Sequence, residues 1–113
     1  MRDAIAEMHA DLCKTLGSPV RIEIVQALRD GEKTVGELSK ELGLRQANVS
    51  QHLAVLRYRR IVKTRKAGTN VYYTMSNPKF VEACGLIKQV LIEQLSENEK
   101  LTVMAEASKQ KRR

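Results

Sequence analysis

The chain has 113 residues, enough for one compact domain; with 42% hydrophobic but only 4% aromatic residues, its core must be aliphatic and modest. A net charge of +7 suits a polyanionic partner. No apolar run is long enough to cross a bilayer, the N-terminus lacks the apolar centre of a signal peptide, and two widely separated cysteines make no disulfide framework, so a cytoplasmic, reduced protein is expected.

Ile5, Met8, Leu12 and Leu16 recur at helical spacing and predict a first amphipathic helix over residues 3–16. Gly17, Ser18 and Pro19 end it and restart the chain, with Ser18 as cap and Pro19 at the first helical position. The second helix should run to about Arg29 with Val20, Ile24, Ala27 and Leu28 on one face, stopped by Asp30 and Gly31. Thr34 and Glu37 have the spacing of a capping box and open a third helix whose buried edge is Val35, Leu38 and Leu42. Gly43 supplies a turn that needs no Cβ, and a fourth helix starts near Arg45.

On that fourth helix Val49, Leu53 and Leu56 cluster and must face inward, so Ala47, Asn48, Ser50 and Gln51 project away from the core. Residues 61–66 and 71–76 have strand composition, separated by a hairpin tip at 67–70. Lys63, Arg65 and Lys66 load the first strand and tip with positive charge. Asn77 and Pro78 open a fifth helix with the stripe Phe80, Cys84, Ile87, Leu91 and Leu95. Ser96 and Glu99 suggest another capping box, starting a short last helix that carries Leu101, Met104 and Ala105. Residues 1–108 then read as one domain and 109–113 as a basic, frayed tail.

Two short helices joined by a tight turn, followed by a basic hairpin, are the parts of a winged helix-turn-helix, an α+β and mostly helical fold. The fourth helix would read base edges through Gln46, Asn48, Ser50 and Gln51, because Gln and Asn can pair bidentately with adenine. His52 lies nearer the packed flank, where a phosphate contact or an internal hydrogen bond is as good a reading as a base contact. Arg45 starts the helix, and Arg65, Lys66, Thr69 and Asn70 are the expected wing contacts to backbone phosphate. The first and fifth helices hold more apolar surface than a minimal winged domain needs, which points to a homodimer paired through them.

Pro19, Arg21, the run from Gly31 through Leu38, and the run from Gln46 through Arg57 resemble the ArsR/SmtB family, and Val71-Tyr72-Tyr73 continues the likeness over residues 8–92. The resemblance implies a homodimeric winged-helix repressor that holds an inverted-repeat operator in double-stranded DNA until a metal, a sulfur species or an oxidant releases it. The chain departs from that pattern where metal-sensing members carry Cys-Val-Cys: those two positions are Thr34 and Gly36, which offer no soft ligand. The ligand set of the fifth helix is also missing, with Glu82 the one carboxylate near its start, and Arg60 stands where a glycine usually follows the fourth helix.

Cys13 and Cys84 read first as packed small hydrophobes. Second, they are redox candidates able to form a reversible disulfide or polysulfide. Third, His9 and Cys13, one turn apart, could join Cys84 in a site for zinc or another thiophilic metal. No nucleophile, base and orienting group stand together, so catalysis is not expected. The expectation is a sequence-specific transcriptional regulator, with an effector-independent architectural DNA-binding protein and a protein–protein assembly module as the rivals.

Overall fold

The structure, a computed structural model, describes residues 2–111. Its elements are α1 (Ala4–Thr15), α2 (Pro19–Ala27), a 3-10 turn (Leu28–Asp30), α3 (Val35–Leu42), α4 (Gln46–Tyr58), β1 (Val62–Ala67), β2 (Asn70–Met75), α5 (Lys79–Gln94) and α6 (Glu97–Lys111). This is a winged helix-turn-helix, in the order that the sequence predicts.

The helix starts follow from local chemistry. Asp3 accepts the Ile5 N–H, and Ser18 accepts the Arg21 N–H with Pro19 in the first turn. At α3 the capping box closes in both directions, Glu37 N–H to Thr34 Oγ1 and Thr34 N–H to Glu37 Oε1, each at 3.1 Å. Asn77 Oδ1 takes the Lys79 N–H at 2.9 Å, so Asn77 caps α5 one residue ahead of Pro78. Ser96 and Glu99 exchange a further reciprocal pair at 3.2 and 3.3 Å.

The core is Ile24, Val25, Leu28, Leu38, Val49, Leu53, Leu56, Ile61 and Val62, all at most 2% exposed. The inward face of α4 is the one read from periodicity. Val25 is buried although it lies off the apolar face expected for α2, because α2 packs against α3, α4 and α5 together. A helix held from several sides buries residues that a one-face periodicity leaves outside. The helix is also shorter than expected, ending at Ala27 and tightening into the 3-10 turn before Gly31 at φ 134°.

Two turns set the geometry around α4. Gly43 ends α3 in the left-handed region at φ 67° and ψ 37°, and the Leu44 N–H returns to Ser39 O at 3.0 Å. After α4, Arg60 holds φ 61°, alone among the described non-glycine residues in having a positive value. Ile61 N–H bonds Leu56 O and Arg60 N–H bonds Arg57 O, both at 2.9 Å. Those two bonds are the Schellman pattern, and the apolar contact that accompanies it is made by buried Leu56 and Ile61. The helix therefore ends as it would with glycine, at a conformational cost carried by arginine.

The wing is an antiparallel hairpin whose register runs from Val62 opposite Met75 to Ala67 opposite Asn70. Its loop is the pair Gly68 and Thr69, tighter than the four-residue tip expected, with Gly68 at φ 62° as the first position of a type II′ turn requires. One isolated bridge to the wing was not foreseen: Lys33 pairs with Tyr73, N–H to O at 3.0 Å and O to N–H at 2.8 Å.

Phe80, Val81 and Cys84 dock α5 on the core, while Leu86, Ile87, Val90 and Leu91 are half or more exposed. Ile87 and Leu91 were expected in the apolar stripe, and in the single chain that stripe faces outward beyond Cys84. On α1, Leu12 and Leu16 pack inward whereas Ile5 and Met8 are 67% and 66% exposed. The last helix is a correction in length: α6 continues through Lys111, so residues 109–111, read as tail, are helical. Arg112 and Arg113 lie outside the described residues. No helix among the described residues is long and apolar enough to cross a membrane.

Candidate nucleic-acid interface

The surface of α4 opposite the core presents Gln46, Ala47, Asn48, Ser50 and Gln51, all exposed. Each is held in place from below, since Val49 and Leu53 on the same helix are fully buried. Ala47 keeps the ridge low, so the backbone can approach a groove closely. Arg45 is the N-cap but gives no side-chain cap, which leaves the first-turn N–H groups directed at solvent and the positive end of the helix dipole uncovered. The Gln46 side chain runs past Gly36 of α3, where any Cβ would come within 3.5 Å of its Nε2.

His52 differs from those neighbours. It is half-buried, and its Nδ1 accepts a hydrogen bond from Arg21 Nε at 3.2 Å, while Arg21 Nη1 donates to Thr15 O at 3.0 Å. Arg21 thus ties α1, α2 and the reading helix together. An accepting Nδ1 puts the imidazole proton on Nε2, the nitrogen turned away from Arg21. Of the readings that the sequence left open for His52, the internal hydrogen bond is present in the structure. Arg21 was quoted only as part of the resemblance; nothing in its local pattern announces a partner on another helix.

On the wing, Lys63, Lys66, Thr69 and Asn70 are exposed and the described ion pairs include neither lysine. Arg65 is engaged: its Nε and Nη2 reach both oxygens of Glu32 at 3.0 and 2.6 Å, and its guanidinium lies 4.8 Å from the ring centroid of Tyr72. The hydrogen bond from Arg65 holds the Glu32 carboxyl below the usual carboxylate range, and Glu32 in turn raises Arg65. Lys33 is spent on Glu41 of α3 at 2.7 Å. At the C-terminal end of α4, Arg57, Arg59 and Arg60 are exposed, with Arg59 stacked 5.8 Å from the ring of Tyr58.

The residues at the two metal positions of the resembling family do not fit a metal. Thr34 Oγ1 accepts the Glu37 N–H, and Gly36 has no side chain. His9 and Cys13 are exposed on α1, and Cys84 is half-buried on α5. Among the described residues of one chain, no three His, Cys, Asp or Glu side chains stand close enough to share a metal ion. Burial pushes the Cys84 thiol up, away from the reactive thiolate.

Comparison with known proteins agrees with this geometry. Residues 18–64 match the model described as bacterial regulatory protein, arsR family. An uncharacterized HTH-type transcriptional regulator of Mycobacterium tuberculosis, Rv0081, is 34% identical over 96 residues covering 84% of both chains. The biofilm growth-associated repressor of Xylella fastidiosa is 36% identical over 85 residues, 75% of each. Among solved structures, that of Rv0081 superposes with a TM-score of 0.73 at 33% identity, over 86% of this chain and 98% of the other. The homodimeric winged helix-turn-helix DNA-binding domain Mb0332 of Mycobacterium bovis gives 0.71 at 26% identity, over 80% and 83%. This chain belongs to the arsR family of bacterial regulatory proteins, which are DNA-binding transcriptional regulators and not enzymes.

Proposed function

We propose that the protein is a sequence-specific homodimeric repressor that reads an inverted-repeat operator. The observation that carries this reading is the exposed row Gln46, Asn48, Ser50 and Gln51, set on a helix anchored by buried Val49, Leu53 and Leu56. Those side chains have the donor and acceptor groups that major-groove base edges demand, with Arg45, Lys66, Thr69 and Asn70 positioned for phosphate. Dimerisation is supported by the apolar faces of α1 and α5, where Ile5, Met8, Leu86, Ile87 and Leu91 are each more than half exposed. Such a face on a small domain calls for a partner, and a twofold axis converts one reading helix into two half-sites. The relative from Xylella fastidiosa is a repressor by name, and the Mycobacterium bovis domain is described as homodimeric.

Effector release would act through Cys13 and Cys84, by thiol oxidation or, with His9, by ligation of zinc or another thiophilic metal between subunits. The test begins with selection of bound sequences from a random duplex library by reduced protein at moderate salt. Enrichment of an inverted repeat supports the dimeric regulator, and a reporter carrying that repeat then distinguishes repression from activation. Binding without enrichment would replace this reading with an architectural one, and no binding would turn attention to a protein partner. Loss of any oxidant or metal response in the Cys13→Ser, Cys84→Ser protein supports the effector site; an undiminished response removes it.

A further inference from the structure

We propose that Glu32 is a positioning residue of the DNA-binding surface: by holding Arg65 in a charge-neutral pair against Tyr72, it braces the wing and withdraws that guanidinium from the phosphate backbone. The inference rests on the duplex-binding reading above.

The geometry around Arg65 is complete without a nucleic acid. Its fork meets both Glu32 oxygens at 3.0 and 2.6 Å, and its face lies over Tyr72, the residue directly opposite on β2. A bidentate carboxylate and an aromatic face together fix both the direction and the plane of a guanidinium. Glu32 is held as firmly. It sits between Gly31, which closes the 3-10 turn, and Lys33, whose backbone pairs with Tyr73 in both directions. The carboxylate is therefore presented one residue ahead of a backbone bridge to β2.

The pair is solvent-exposed, with side chains 54% and 40% accessible, so it adds little to stability. Its consequence is electrostatic. Lys63, Arg65 and Lys66 are the cations of β1, and Glu32 cancels one of them at the centre of the row. A phosphate that displaced Glu32 would leave an ionised carboxylate beside the DNA backbone, a like-charge contact. Arg65 therefore stays with Glu32, and Lys63 and Lys66 are left as the cations of β1 that can exchange with counterions on the duplex.

The salt dependence of binding reads this directly, because each phosphate neutralised by the protein steepens the logarithmic slope by about 0.9. The full chain and its variants would be titrated against one mixed-sequence duplex over a salt series, by fluorescence anisotropy. Arg65→Gln removes no phosphate contact but leaves the Glu32 carboxylate unpaired, so its slope should stay at or slightly below the parent value. Glu32→Gln, which frees the guanidinium, should steepen it by about 0.9, so that affinity falls about 3.5-fold further between about 50 and about 200 mM salt. The double variant should return to the parent slope, a pattern that loss of wing structure alone would not produce. A slope made shallower by about 0.9 in Arg65→Gln, with Glu32→Gln unchanged, would make Arg65 an ordinary phosphate contact and overturn the inference. Equal slopes in all four proteins would overturn it as well. Failure of the parent to bind any duplex would instead remove the DNA-binding reading on which it rests.

Discussion

Arg60 offers a clean test of the physical account of this fold. Its φ of 61° lies in the region that glycine adopts freely and other residues occupy at about 1–2 kcal/mol. Replacing it with glycine removes that strain but gives the unfolded chain extra freedom, which costs about 0.4–1 kcal/mol. No described hydrogen bond or ion pair uses the Arg60 side chain, so its removal adds no further loss. The backbone of the turn stays anchored, since Ser76 Oγ donates to Arg60 O at 2.6 Å and Ser76 N–H bonds Ile61 O at 3.0 Å. The net is a gain of about 0.5–1 kcal/mol, equivalent to a rise of about 2–5 °C in Tm for a domain of this size. Arg60→Val should go the other way by at least about 1 kcal/mol, because a β-branched residue tolerates the left-handed region least. Thermal unfolding followed by circular dichroism, at one protein concentration so that association does not shift the midpoint, gives the comparison. A glycine variant melting at or below the parent, with valine no worse, would refute the strain argument.

Three further outcomes follow from the same structure. Ser50→Ala combined with Gln51→Ala should weaken operator binding by about 5- to 150-fold, as expected for one lost base contact worth about 1–3 kcal/mol, while Tm stays put; unchanged binding would mean that α4 is not the reading helix. Leu91→Glu, placed on the exposed apolar face of α5, should give a folded monomer in sedimentation equilibrium; a persistent dimer would move the interface elsewhere. Cys13 should alkylate well before Cys84 at neutral pH, since Cys13 is exposed while burial raises the Cys84 thiol. Because that raised pKa belongs to the folded state, the unfolded chain ionises first. The stabilising contribution is then fully present below the ordinary thiol value and is lost as pH rises through the folded one, and Cys84→Ser should flatten this alkaline decline. Equal alkylation rates or an unaltered alkaline limb would contradict the placement of Cys84.

Local chemistry was legible in the sequence, and pairings across distance were not. Thr34 with Glu37, Ser18 with Pro19, and Ser96 with Glu99 each announce a helix start within four residues, and each forms as read. Val49, Leu53 and Leu56 face inward because one face of α4 is all the core requires of it. The stop of α6 escaped because no glycine or proline follows Ser96 to break the helix. A single paired residue such as Lys33 has no periodicity to betray it, and the Glu32–Arg65 contact spans 33 positions without a local signature. The candidate site divides along the same line. Which face of α4 turns outward could be read, but that Arg21 is the partner of His52, and that Arg65 has a partner at all, could not.

The three consecutive residues Glu32, Lys33 and Thr34 serve three different elements. Glu32 holds the wing's guanidinium, Lys33 joins the wing's backbone, and Thr34 caps α3. A displacement of this run would therefore be felt by both the hairpin and α3. In the dimer proposed for this protein, a change in the angle between the two copies would alter whether both copies of α4 could reach their half-sites at once.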